Sequence, residues 1–219
     1  MKKVLAMILA VVMLLSMAAC GSGDVRGVQS NNQSSTEPTD KEFSVGAVSG
    51  LTYENEFIGI GCKLDGEWTF SSDEEIREMN NVTAEMAGEE YRDMIKDASV
   101  IYDMHATHSN GLDNIIVNLE KVNPLQLIGL DLADNYEALL PTMRDAFENI
   151  GYTDIEFNIS TVTIDGKEFT ALYVNAVIAG YEVYQANIAI KCNGYLASVS
   201  VTTYGQEALN QVLKSFYLV

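Results

Sequence analysis

Ile58, Ile60, Cys62 and Leu64 alternate with Gly59, Gly61 and Lys63, a period of two that predicts a strand. Asp65-Gly66 then signals a turn, and Trp68 and Phe70 resume the alternation. Ser71 and Ser72 precede Glu74 and Glu75, so a capping box is expected to open a helix in SSDEEIREM. A second helix is predicted over 83–98, with Met86, Met94 and Ile95 facing inward. Ser99 to Thr107 and Leu112 to Val122 read as two strands joined through Ser109-Asn110-Gly111.

The longest helical pattern runs from Leu132 to Ile150. Leu132, Tyr136, Leu139, Leu140, Met143, Phe147 and Ile150 fall on one face at three-and-four spacing. Pro141 lies inside the run and is expected to kink or restart it, and Gly151 suits the C-terminal cap. A β-meander follows, its four segments divided by Asp165-Gly166, Ala179-Gly180 and Asn193-Gly194. A last helix is expected from Tyr204 to Phe216, with Leu209, Val212, Leu213 and Phe216 inward. This order predicts an α+β fold, an antiparallel sheet sandwiched by helices, as a single domain over 49–219.

The N-terminus has another character. Met1, Lys2 and Lys3 are followed by an apolar run from Val4 to Ala19 broken by Ser16. That is short for a membrane span of about 20 residues and fits the core of a signal peptide, residues 1–19. Met17-Ala18-Ala19-Cys20 resembles the bacterial lipoprotein box, with Met17 standing where leucine is usual. The resemblance implies that the Cys20 sulfur takes a diacylglyceryl group and becomes the mature N-terminus, anchored by fatty acyl chains such as palmitate. Two or more chains make a stable anchor where one is marginal. Residues 20–48 are rich in Gly, Ser, Asn, Gln and Thr and read as a disordered tether. About 25 such residues reach roughly 25 to 30 Å as a flexible coil.

Charge narrows the partners. The net charge of −18 disfavours nucleic acid, whose phosphates demand basic surface, and anionic lipid headgroups would repel the domain.

Few residues suggest chemistry. On a regular strand Asp103 and His105 share a face, and a carboxylate beside an imidazole is a candidate metal ligand pair or general base. His108, three positions from His105, points to the opposite face. Cys62 and Cys192 each sit on an apolar strand face. They are candidates for one disulfide, or for two buried thiols. Asp131, Asp134 and Glu137 lack the alternate spacing and glycine turn of a calcium loop, and Asp131 or Asp134 reads better as a helix N-cap. Eleven tyrosines stand out, and Tyr173, Tyr181, Tyr184, Tyr195 and Tyr204 crowd the meander as a candidate binding face. No glycine-rich phosphate loop, serine elbow or HExxH is present, and no cofactor is expected.

Three segments, YENEFIGIGCKLDGEWTFSSDEEI, ENIGYTDIEF and AIKCNGYLASVSVTTYGQEALNQVLKSF, together resemble small lipoproteins of clostridium-like bacteria. Those are similar to the Mog1/PsbP-like fold. The likeness lies in core, turn and cap residues, so it implies a fold and assigns no functional residue. The function expected is a non-enzymatic lipoprotein facing outside the cytoplasm, held to the membrane through Cys20, that binds a protein partner or supports an envelope assembly. The alternatives are a small-ligand or ion receptor, and an enzyme using Asp103 and His105.

Overall fold

The computed structural model describes residues 42–80 and 100–219. The signal segment, Cys20, most of the tether and the helix expected over 83–98 lie outside the described residues.

Two antiparallel sheets form the domain. Strands β1 (Ala47–Ser49), β2 (Thr52–Asn55) and β3 (Ile60–Lys63) begin the smaller one. The chain then enters the larger sheet through β4 (Trp68–Phe70) and reaches helix α1 (Asp73–Met79). Ser72 Oγ accepts from Glu75 N at 3.3 Å while Ser72 N donates to the Glu75 carboxylate at 2.8 Å, so the expected capping box forms. The hairpin β5 (Val100–His108) and β6 (Asn114–Lys121) follows.

Helix α2 (Pro124–Gly129) was not expected. It opens on Pro124, and the Asn123 side chain accepts from Leu125 N at 3.0 Å. Helix α3 (Leu132–Asn149) is capped by Asp131, whose carboxylate accepts from Ala133 N and Asp134 N. It runs unbroken through Pro141, so the expected restart does not occur. Tyr136, Leu139, Met143 and Phe147 bury the predicted face, and that burial holds the helix together across the proline.

The meander is β7 (Tyr152–Ile164), β8 (Lys167–Ile178), β9 (Tyr181–Cys192) and β10 (Tyr195–Thr203). Its turns at Asp165-Gly166 and Ala179-Gly180 hold positive φ at both residues, matching the strand twist. Helix α4 (Gln206–Leu213) stops before Phe216, which lies instead on β11 (Phe216–Leu218). The reason is the free edge of β3. Phe216, Tyr217 and Leu218 pair with Cys62, Gly61 and Ile60, and the backbone gains a ladder that a longer helix would forfeit.

The small sheet has the order β1-β2-β3-β11 and the large one β4-β5-β6-β10-β9-β8-β7. On its inner face the large sheet packs against the small sheet and α4, around Tyr53, Ile60, Cys62, Met104, Val117, Ile188, Leu209 and Phe216. On its outer face α3 covers the β7-β8-β9 end, and Met79 of α1 packs on Tyr102 and Ile116 at the other. The fold is α+β, and the layer on the inner face is largely a second sheet rather than a helix. Phe43 and Val45, placed in the tether by sequence, pack against the inner core.

Candidate functional site

Strand β5 carries a bulge. Tyr102 pairs with Asn118 and Met104 with Val117, so Asp103 is an extra residue. The bulge reverses the alternation beyond it. Asp103 faces inward, where it accepts from Gly46 N at 2.9 Å, from Asn55 Nδ2 at 2.7 Å and from the Tyr53 hydroxyl. His105 faces outward, its Nδ1 2.8 Å from Ser71 Oγ and its Nε2 3.4 Å from Thr107 Oγ1. The two therefore do not share a face, and the carboxylate–imidazole pair expected from a regular strand is not assembled. Burial raises the Asp103 carboxyl above its ordinary range despite three donors, and burial lowers the His105 imidazole. The chain enters tightly here. A Cβ on Gly46 would overlap the Tyr53 ring and stand 2.8 Å from Asp103 Oδ2.

His108 points the other way from His105, as expected. Its ring meets Trp68 edge-on, centroids 5.2 Å apart, and its Nε2 lies 3.3 Å from Glu67 Oε2. An open cleft of about 380 Å³ beside it is bounded by Leu64, Asp113 and Val212. Its principal polar groups are already engaged, His108 with Glu67 and Asp113 with Tyr204 N at 2.9 Å.

The tyrosines do not make one face. Tyr195 is buried on the inner side, stacked on Phe43 at 5.0 Å, and Tyr173 and Tyr184 pack against the same core. Tyr204 packs on the outer core, where the Tyr181 ring meets it at 6.2 Å. Pleat alternation divides the set between the two sides of the sheet.

Cys62 and Cys192 are free, buried thiols. They share the inner core but belong to different sheets, Cys62 to the small and Cys192 to the large. Facing sheets pack about 10 Å apart, beyond the usual Cα separation of a disulfide, at most about 7 Å. Burial pushes each thiol up to about 12, so neither is a ready nucleophile.

The outer face holds what the sequence reading missed. Between α1 and α3 the large sheet presents cross-strand rows of polar side chains. Asn118 pairs with Ser198, Ser200 with Asn187, and Thr202 with Asn114 on one side and Gln185 on the other. Part of this strip is internally satisfied. Ser200 Oγ donates to Asn187 Oδ1 at 2.7 Å, and Gln185 Nε2 to Thr202 Oγ1 at 3.0 Å. At the α3 end the strip opens into a cavity of about 30 Å³ lined by Asn118, Glu120, Asn135, Tyr136, Leu196 and Ser198. Ser198 is 9% exposed, and among the described residues its hydroxyl has no hydrogen-bond partner. In the same row the buried Tyr102 hydroxyl is also unpaired among the described residues. Burial pushes the Glu120 carboxyl up to about 7. The base two strands away, Lys191, lies across Leu196 from Glu120 and donates to the Leu130 carbonyl instead. A usable signal was present. Asn118 and Glu120, Gln185 and Asn187, and Ser198, Ser200 and Thr202 are polar at every second position on three neighbouring strands. Read strand by strand, each such face passes for solvent-exposed.

No protein-family model matches the chain, and no curated protein sequence matches it. Among solved structures it is similar to the solution structure of cyanobacterial PsbP (CyanoP) from Synechocystis, at 15% identity over 81% of this chain and 98% of that one, with a TM-score of 0.48. It is also similar to the crystal structure of LpqN, involved in cell envelope biogenesis of Mycobacterium tuberculosis, at 11% identity over 73% of this chain and 83% of that one, with a TM-score of 0.39. The α+β architecture itself rests on the strand order and layers described above.

Proposed function

We propose that the chain is a non-enzymatic lipoprotein, held through Cys20 at the outer face of the cytoplasmic membrane, whose domain binds a protein partner or supports an envelope assembly. The anchor rests on Met17-Ala18-Ala19-Cys20 and the basic, apolar segment before it. Partner binding rests on α2, where Leu125 is 79% and Ile128 is 73% exposed, three residues apart on one side of the helix. Two large aliphatic side chains side by side in water are the beginning of an interface. Cells fed an alkyne-bearing palmitate should label the wild type and leave Cys20→Ser unlabelled. Crosslinking in intact envelopes should recover one reproducible protein with the wild type and lose it with Leu125→Asp/Ile128→Asp. Equal labelling of Cys20→Ser overturns the anchor. Equal capture by the aspartate variant, or no capture by either protein, overturns the interface.

A second reading, a receptor for a small ligand, is favoured by the cavity at Glu120 and Ser198.

A further inference from the structure

The cavity under the first turns of α3 combines three features. Its walls are mostly apolar, with Val100, Leu132 and Leu196 among them. One carboxylate, Glu120, lines it half-buried. One hydroxyl, Ser198, is nine-tenths buried and unpaired among the described residues. Native proteins rarely leave a buried hydroxyl without a partner, so this one calls for a ligand or a water.

We propose that this cavity binds an alkylammonium group, its nitrogen donating to the Glu120 carboxylate and the Ser198 hydroxyl oxygen and its methylenes lying along Leu196, Val100 and Leu132. The proposal rests on the receptor reading and names the ligand chemistry of that site. An anion would meet the Glu120 charge in a poorly solvated place, which is unfavourable. A hard metal ion wants six or more oxygen ligands, and among the described lining residues Glu120 is the one carboxylate. The space of about 30 Å³ suits a compact head group and not a hydrated ion. An ammonium supplies donors for both oxygens and the charge that lets Glu120 ionise. The nearest lysine along the row does not fill this role, because Lys191 is held on the Leu130 carbonyl. The chain's net charge of −18 also concentrates cations around the domain.

Two sources carry such a group, a free alkylamine and the lysine side chain of a peptide. The test uses isotope-labelled full-length protein in detergent micelles, probed with n-butylammonium chloride and with Nα-acetyl-lysinamide. Sodium butyrate and n-butanol serve as the anionic and neutral counterparts. Backbone amide shifts of Asn118, Glu120 and Ser198 are followed by NMR. Both amines should give saturable shifts there, and butyrate and butanol should give none. Glu120→Gln should weaken amine binding at least about tenfold, the worth of a charge-assisted hydrogen bond. Ser198→Ala, a smaller change that serves if Glu120→Gln fails to fold, should weaken it about threefold or more. Amine binding should also fall as the pH drops below about 7, where Glu120 takes its proton. The other charged groups at this end are Lys191 on β9, held on the Leu130 carbonyl, and Asp131 and Asp134 at the start of α3. Tighter binding of acetyl-lysinamide than of butylammonium assigns the site to peptides, and the reverse assigns it to free amines. Saturable binding of butanol or butyrate equal to the amine overturns the ammonium assignment and leaves a receptor. Absence of any shift with all four probes overturns both readings.

Discussion

Asn55 Nδ2 donates to the Asp103 carboxylate at 2.7 Å, tying the small sheet to the large one at the large sheet's bulge. Tyr53 and the Gly46 amide donate to the same carboxylate. Asp103→Ala leaves two buried donors, Tyr53 and Asn55, and the half-buried Gly46 amide without this acceptor at once. We expect a loss of about 3 kcal/mol or more, read as a lower urea midpoint by fluorescence of Trp68, the single tryptophan. A midpoint within about 0.5 kcal/mol of wild type, the range of ordinary surface changes, would dismiss Asp103 as the link between the sheets.

Glu120 makes stability depend on pH in a stated direction. Unfolded, the carboxyl titrates near 4.5, and folded it titrates near 7, because burial disfavours its charge. The folded state therefore holds the proton more tightly. The stability contributed by this group is full below about pH 4.5 and is lost as the pH rises to about 7. With allowance for partial exposure the loss is on the order of 1 to 2 kcal/mol. Asp103 acts with the same sign, so the readout is the difference between wild-type and Glu120→Gln unfolding curves. That difference should open between these two pH values and leave the variant more stable at pH 8. A constant difference across the range would contradict the assignment.

The thiols provide a count. In denaturant without reductant, Cys62 and Cys192 should both react with a thiol reagent, and in the native state at pH 8 both should resist it. Protein carrying Cys20→Ser gives an unambiguous total of two. A total of zero would show a bridge.

Pro141 interrupts the hydrogen bonding of α3 and has no side-chain role in the buried face. Pro141→Ala should raise the thermal midpoint, with a gain of about 1 kcal/mol or more, since proline inside a helix costs up to about 3. A lower midpoint would mean that the proline shapes how α3 curves over the sheet.

Much of the fold was legible because its signals are local. The turns at Asp165-Gly166 and Ala179-Gly180, the box at Ser72 and Glu75 and the apolar face of α3 each follow from a few neighbouring residues. What escaped depends on distant partners. Phe216 keeps helical spacing with Leu209, Val212 and Leu213, yet the open edge of β3, more than 150 residues earlier, draws it into a strand. The short strands β1 and β2 have little pattern of their own and exist through pairing with each other and with β3.

The site was less legible for a related reason. Period-two reasoning assumes that no residue is inserted, and one insertion at Asp103 sent it and His105 to opposite sides. The tyrosines were grouped by nearness in sequence, whereas faces are set by parity and pairing. The polar strip showed the opposite error. Asn118, Asn187 and Ser200 have the composition of solvent-facing positions, and only stacking three strands side by side shows that they line buried ground.

The entry of the chain has a mechanical consequence. Beyond Glu42 the first firm holds are the stacking of Phe43 on Tyr195 and the bonds of Gly46 to Asp103. These grip β10 and β5, two interior strands of the large sheet, whereas β1 just after them is an edge strand of the small one. A pull arriving along the N-terminal segment is thus taken up by the best-supported part of the domain before it can peel the weakest. The force at which the domain yields is set by a ring stack and a carboxylate, not by the three-residue strand behind them.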